Sequence, residues 1–124
     1  MEFNNHRAIY LQIAEMICER ILLDQFREDE RIPSVREMAV QLEVNPNTVM
    51  RTFEFLQAKD IVTNKRGVGY FVSADGKQKA TSFRKEEFLQ NELPQLFRTA
   101  ELLNIPFEEL KELYNVQKNQ PGTQ

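Results

Sequence analysis

Apolar residues recur along this chain in stripes of helical period that are broken at defined points. From Arg7 onward, Tyr10, Ile13, Ala14, Ile17 and Ile21 fall at i, i+3, i+4, i+7 and i+11, with Ile9, Met16 and Leu22 beside them, which makes one face of an amphipathic helix. A polar connection over 24–30 follows, in which Phe26 is expected to tuck under the core and Ile32 to supply a short strand. Pro33 suits the residues just before a helix, Ser34 can accept from the first free backbone N–H groups, and Glu37 completes a capping box. Val35, Met38, Ala39 and Leu42 then form a second apolar face.

The break at Val44-Asn45-Pro46 ends that helix, because a residue before proline is pushed out of helical geometry, and Asn45 caps the next one. There Val49, Phe53 and Leu56 recur at helical spacing, flanked by Met50 and Ala58, while Asn47, Thr48, Arg51, Glu54 and Gln57 take the opposite face. Two short helices joined by a tight turn, the second with a polar first turn, match the helix-turn-helix pattern. The β-branched run Ile61-Val62-Thr63 and its partner Tyr70-Phe71-Val72 predict a hairpin. Its basic loop, Asn64-Lys65-Arg66-Gly67-Val68-Gly69, carries two glycines for positive-φ turns. Such a hairpin is a wing.

Beyond the wing, residues 74–82 are small and polar and read as a linker. Phe83, Phe88, Leu89, Leu93, Leu96, Phe97, Ala100 and Leu103 then define one or two helical stretches, with Pro94 either kinking the helix or starting its second half. Asn104-Ile105-Pro106 interrupts the pattern, Phe107, Leu110, Leu113 and Tyr114 form the apolar side of a last helix, and the tail from Gln117 is expected to fray. Two short amphipathic helices cannot bury such stripes alone. A second copy of the chain is the expected cover, through Leu89, Leu93, Leu96, Phe97, Ala100, Leu103, Leu110 and Leu113; folding back onto the first domain is the alternative. The expected architecture is therefore mainly α with a small β-hairpin: a winged helix-turn-helix domain over 1–73, then a linker and a two-helix dimerisation region over 74–124.

Composition narrows the chemistry. Among 124 residues Cys18 is the sole cysteine and His6 the sole histidine, so no internal disulfide can form and a zinc site lacks ligands. Cys18 lies in the first apolar stripe, where a buried small hydrophobe is favoured over a redox sensor. His6 is given no role. No cofactor or metal is expected. No apolar run reaches membrane-spanning length and no signal-peptide pattern leads the chain, so a cytoplasmic protein without a membrane partner is expected. No paired carboxylates, nucleophile–base set or phosphate-cradling loop marks an enzyme.

The net charge of −3 argues against nucleic-acid binding, since such domains are usually basic. Its distribution softens the objection. Asp24, Glu28, Asp29 and Glu30 sit together outside the helix-turn-helix, while 32–73 holds Arg36, Arg51, Lys59, Lys65 and Arg66 against Glu37, Glu43, Glu54 and Asp60.

The combination of Ile32-Pro33-Ser34-Val35-Arg36-Glu37-Met38-Ala39, Val44-Asn45-Pro46-Asn47-Thr48-Val49, Arg66-Gly67 and Gly69-Tyr70-Phe71-Val72 resembles the GntR family of bacterial transcription regulators over about residues 7–73. The short two-helix tail is similar to that of the YtrA-like subgroup, where it serves dimerisation; the larger effector-binding domains of other subgroups have no counterpart. Asp24, with its acidic neighbours, and Asp60 stand where similar proteins often show glycine, and aspartate tolerates left-handed geometry better than most residues.

The resemblance implies a dimeric DNA-binding regulator, in all expectation a repressor, whose partner is double-stranded operator DNA. It also implies that Arg36, in Pro-Ser-x-Arg, reaches the DNA. Asn45, Asn47 and Thr48 lie at the end of the recognition helix that meets base edges. Arg51 is open between a phosphate and an ion pair with Glu54 or Glu37. Lys65, Arg66 and Gly67 form a wing tip suited to phosphate or minor-groove contact, and Ser34 completes the candidate set. The alternative is a winged-helix module that binds protein rather than DNA.

Overall fold

The computed structural model describes Phe3 and residues 7–120; the lead-in 1–6, with His6, and the last four residues of the tail otherwise lie outside it. The chain divides into two compact units, Met1–Lys85 and Glu86–Gln124.

The first unit is built from the stripes predicted above. Helix α1 spans Ile9–Leu22, α2 Val35–Leu42 and α3 Pro46–Ala58. Ser34 Oγ accepts from the Glu37 N–H at 3.1 Å and Glu37 Oε1 accepts from the Ser34 N–H at 3.0 Å, so the capping box fixes where α2 begins. The turn to α3 passes through Glu43 in the left-handed region, φ 56°, and Asn45 Oδ1 caps α3 by accepting from the Asn47 N–H at 2.7 Å. Ile13, Ile17, Val49, Phe53 and Leu56 meet with no exposed surface. Cys18 is buried among them, and that burial pushes its thiol up to about 12, against the opposing pull of Arg84. It is a core hydrophobe.

Strands β1, Val62–Lys65, and β2, Gly69–Val72, pair antiparallel with Val62 opposite Val72 and Lys65 opposite Gly69. They are longer than the β-branched run implied, since Asn64 and Lys65 belong to β1 and the turn shrinks to Arg66-Gly67-Val68. Gly67 sits at φ 78°, a conformation that costs glycine little. Tyr70 stacks on Phe53 with ring centres 4.4 Å apart, seating the hairpin on α3. Ile32 is buried, but instead of a strand the segment makes single bridges, Arg31 to Phe71 and Glu28 to Val72, and the Ile32 N–H donates to Tyr70 O at 2.8 Å. Phe26 packs half-buried against the core as expected. Asp24 and Asp60 take φ 61° and 60°, so aspartate does serve the left-handed turns.

The stretch read as a linker is corrected: α4 spans Gly76–Glu87. Gly76 and Ala80 are buried and Phe83 packs on the core, a narrow apolar face at i, i+4 and i+7 that the surrounding Lys, Gln, Thr and Ser obscure. A Cβ on Gly76 would lie 2.6 Å from Ile61 O and 2.8 Å from Val72 Cγ1, so the approach of α4 to the base of the hairpin requires glycine. Phe83 meets Phe55 edge-on at 5.5 Å, and ion pairs Lys77–Asp24, 2.9 Å, and Arg84–Glu19, 3.1 Å, flank the contact.

In the second unit a π-helical turn over Phe88–Glu92 precedes α5, Leu93–Leu102. Pro94 stands in the first turn of α5, where its missing N–H is tolerated; it starts a second helical half. Asn104 closes α5 at φ 57°, and Ile105 N–H donates back to Ala100 O at 2.8 Å, the left-handed helix ending asparagine permits. Helix α6 spans Phe107–Lys118. No helix among the described residues is long and apolar enough to cross a membrane.

Candidate nucleic-acid interface

The predicted site residues fall on three elements of the first unit. Arg36 is at the second position of α2, exposed, and makes no ion pair or hydrogen bond among the described residues. Ser34, just before it, is half-buried and its oxygen accepts once in the cap, which leaves its O–H proton and one lone pair for a ligand. At the start of α3, Asn45 uses its side-chain oxygen as the cap while Asn47 is exposed and its side-chain amide makes no hydrogen bond among the described residues. Thr48 is half-buried in an open groove of about 360 Å³ that it shares with Asn47, Arg51, Ala8, Ile9 and Tyr10. Asn45 is exposed with its side-chain oxygen in the cap, Thr48 lines the groove, and Asn47 is exposed beside them.

Arg51 pairs with neither Glu54 nor Glu37. Its guanidinium carbon lies 4.0 Å from the centre of the Tyr10 ring, a cation–π contact. Glu37 is held elsewhere: its carboxylate takes the Ser34 N–H and, at 3.3 Å, Arg31 Nη2. The Ser34 hydrogen bond, more than the Arg31 charge, keeps the Glu37 carboxyl below its ordinary range. Arg31 also brings the first turn of α2 next to the wing, because a Cβ on Gly69 would lie 3.0 Å from Arg31 Nε.

On the wing, Lys65 is a strand residue, with Nζ 4.2 Å from the centre of the Phe71 ring. Arg66 and Gly67 are exposed at the turn, and Arg66 makes no ion pair among the described residues. Arg36, Arg51, Lys65 and Arg66 therefore all keep their charge free of carboxylates. Elsewhere in the unit Arg7, Arg31, Lys77, Lys79 and Arg84 are each matched with an acid.

Four residues escape a reading by periodicity. Met50, assigned to the edge of the apolar stripe, is 42% exposed and lies at i+3 from Asn47, on the outward face; Ala58 is likewise exposed. Thr52 is fully buried, its hydroxyl 2.9 Å from Tyr10 O and 3.1 Å from Thr48 O, and it ties the start of α1 to α3. Tyr10 looked like one more core position; its place at the start of an otherwise aliphatic stripe was the available signal.

The sequence profile of the bacterial regulatory proteins of the gntR family matches residues 9–72, which takes in α1, α2, α3 and both strands. The chain belongs to the GntR family. It is 31% identical over 104 residues to the helix-turn-helix-type transcriptional repressor YtrA of Bacillus subtilis, covering 84% of this chain and 79% of YtrA, which makes it a YtrA-like GntR protein. It is 42% identical over 72 residues to the helix-turn-helix-type transcriptional regulator YhcF of the same organism. That match covers 58% of this chain and spans 60% of YhcF. Among solved structures, a GntR-family transcriptional regulator from Bacteroides thetaiotaomicron superposes with a TM-score of 0.69 at 46% identity, over 90% of this chain and 99% of that one. The matched stretch takes in the capping box, the Asn-Pro turn and the wing.

Tail residues expected at a dimer interface sort unevenly in the single chain. Leu89, Leu96, Phe97, Leu103 and Leu113 are exposed, and Leu93 and Leu110 half-exposed. Ala100 is 7% exposed within the single chain, beside the turn that Ile105 closes back onto it.

Proposed function

We propose that this GntR protein is a sequence-specific transcription regulator that binds double-stranded operator DNA as a two-fold homodimer and acts as a repressor. The observation that carries the reading is that Arg36, Arg51, Lys65 and Arg66, on the helix-turn-helix and wing, make no ion pair with a carboxylate among the described residues. Arginine at a helix start can grip guanine or phosphate with two donors at once, and Asn47 on the outward face of α3 suits adenine. Met50 beside it offers an apolar contact for a thymine methyl group. The wing lays Lys65 and Arg66 along the backbone or minor groove, with Gly67 allowing close approach.

Dimerisation is supported by the second unit. Leu102 is 80% exposed, Phe107 67% and Tyr114 65%, more apolar surface than a short helical hairpin keeps in water on its own. Two copies related by a two-fold axis present two recognition helices, so the operator is an inverted repeat with half-sites about one helical turn, or a multiple, apart. Repression is the role named for YtrA, and the same role is assigned here.

The test is a fluorescence anisotropy titration against DNA selected from a random-site library. A dimer carrying these four cations per subunit neutralises at most roughly eight phosphates, so log affinity against log salt should have a slope no steeper than about −7. Binding that shows no preference for the selected repeat over random duplex would favour a winged-helix protein–protein module instead.

A further inference from the structure

The start of α1 meets the start of α3 in the open groove that holds Arg51, and the Tyr10 ring forms the surface on which the guanidinium rests. The ring is itself held in place. Its edge meets Phe55 at 5.9 Å and 74°, and the Tyr10 carbonyl lies 2.9 Å from the Thr52 hydroxyl that anchors the two helices together. An aromatic face restrains an arginine differently from a carboxylate. Stacking engages the flat of the guanidinium and leaves its N–H donors, which lie in the plane, free to bind; it also leaves the positive charge uncompensated. A salt bridge would consume both.

We propose that Tyr10 is a positioning residue for DNA binding: its ring holds the Arg51 guanidinium in advance over the first turns of α3, with the N–H edge open to a backbone phosphate of the operator. The inference rests on the DNA-binding reading above. A long side chain ordered before binding surrenders fewer rotamers in the complex, so the ring raises affinity without touching DNA. It acts on phosphate, so it strengthens binding to selected and random duplex alike.

The experiment uses the full chain, titrated by anisotropy against the selected operator and a random duplex, in a double-mutant cycle. Tyr10→Leu is expected to weaken both complexes by about threefold to tenfold, the scale of ordering one long side chain on binding. Tyr10→Phe, which keeps the ring, is expected to bind like the original chain. In an Arg51→Gln background, Tyr10→Leu is expected to have no further effect; a loss transmitted through weakened folding would appear in both backgrounds. The inference is overturned if Tyr10→Leu costs as much in the Arg51→Gln background, or if Tyr10→Phe is as weak as Tyr10→Leu. Unchanged affinity in Arg51→Gln also overturns it while leaving the DNA-binding reading intact, whereas an original chain that binds no duplex overturns both.

Discussion

The two units place the same kinds of residue at the same helical spacing and obtain opposite results. In Met1–Lys85 the stripes of three helices close over one another and over a hairpin, so that Ile13, Ile17, Val49, Phe53 and Leu56 lose all contact with solvent. In Glu86–Gln124 the stripes of α5 and α6 leave Leu102, Leu103, Phe107 and Tyr114 mostly in water. Amphipathic period alone does not make a core; the number of surfaces that can converge on it does. A unit with enough elements is complete as one chain, and a two-helix unit is complete only with more apolar surface brought to it.

The comparison breaks most visibly at its two aromatic positions. Phe53→Ala empties the centre of the first unit and should cost about 3–5 kcal/mol in urea unfolding, at any protein concentration. Phe97→Ala, in the second, should leave that transition in place and instead raise the concentration at which the dimer dissociates, read by analytical ultracentrifugation. Equal stability losses at the two positions would mean that the second unit has a core of its own.

Next in size is the seam that attaches α4. Gly76→Ala forces a Cβ against the Ile61 carbonyl and should destabilise the first unit by about 1–3 kcal/mol in the same assay. A neutral result would show that α4 is loosely held and that the unit ends at the wing.

Binding variants sharpen what the first unit is for. Arg36→Ala and Asn47→Ala should each lose about 1–3 kcal/mol of operator binding and relax selectivity, while Lys65→Ala should weaken operator and random duplex equally. Selectivity unchanged in both of the first two would remove them from the base-reading set.

The smallest effect is at the capping box. The Glu37 carboxyl titrates lower in the folded chain than in the unfolded one, so the stability it contributes is present above the ordinary glutamate range and is lost as pH falls through the lower folded value. Between about pH 5 and pH 3 the original chain should therefore lose more stability than Glu37→Gln. Parallel melting curves for the two would remove Glu37 from the acid response.

Most of the first unit was legible because its signals are local: Ser34 with Glu37, Asn45 before Pro46, and β-branched residues before a Gly-rich turn each specify a boundary within a few residues. What escaped depends on distant partners. Gly76 and Ala80 read as linker because their value comes from Ile61 and Val72, and Met50 read as the flank of the apolar stripe because periodicity places a stripe without fixing its width. Arg51 had carboxylates nearby in sequence, yet its partner is Tyr10, forty-one residues earlier, and only the packing of α1 on α3 brings them together.

The central claim is that two copies, joined through the second unit, read one duplex with two recognition helices. It is tested most directly by titrating the selected inverted repeat with the full chain and with a chain ending at Lys85, which keeps the whole first unit and all of α4 but Glu86 and Glu87. The short chain is expected to be folded and monomeric and to bind about 100-fold or more weakly, because the second half-site is no longer engaged at high effective concentration. A short chain that binds the repeat as tightly as the full chain would contradict it.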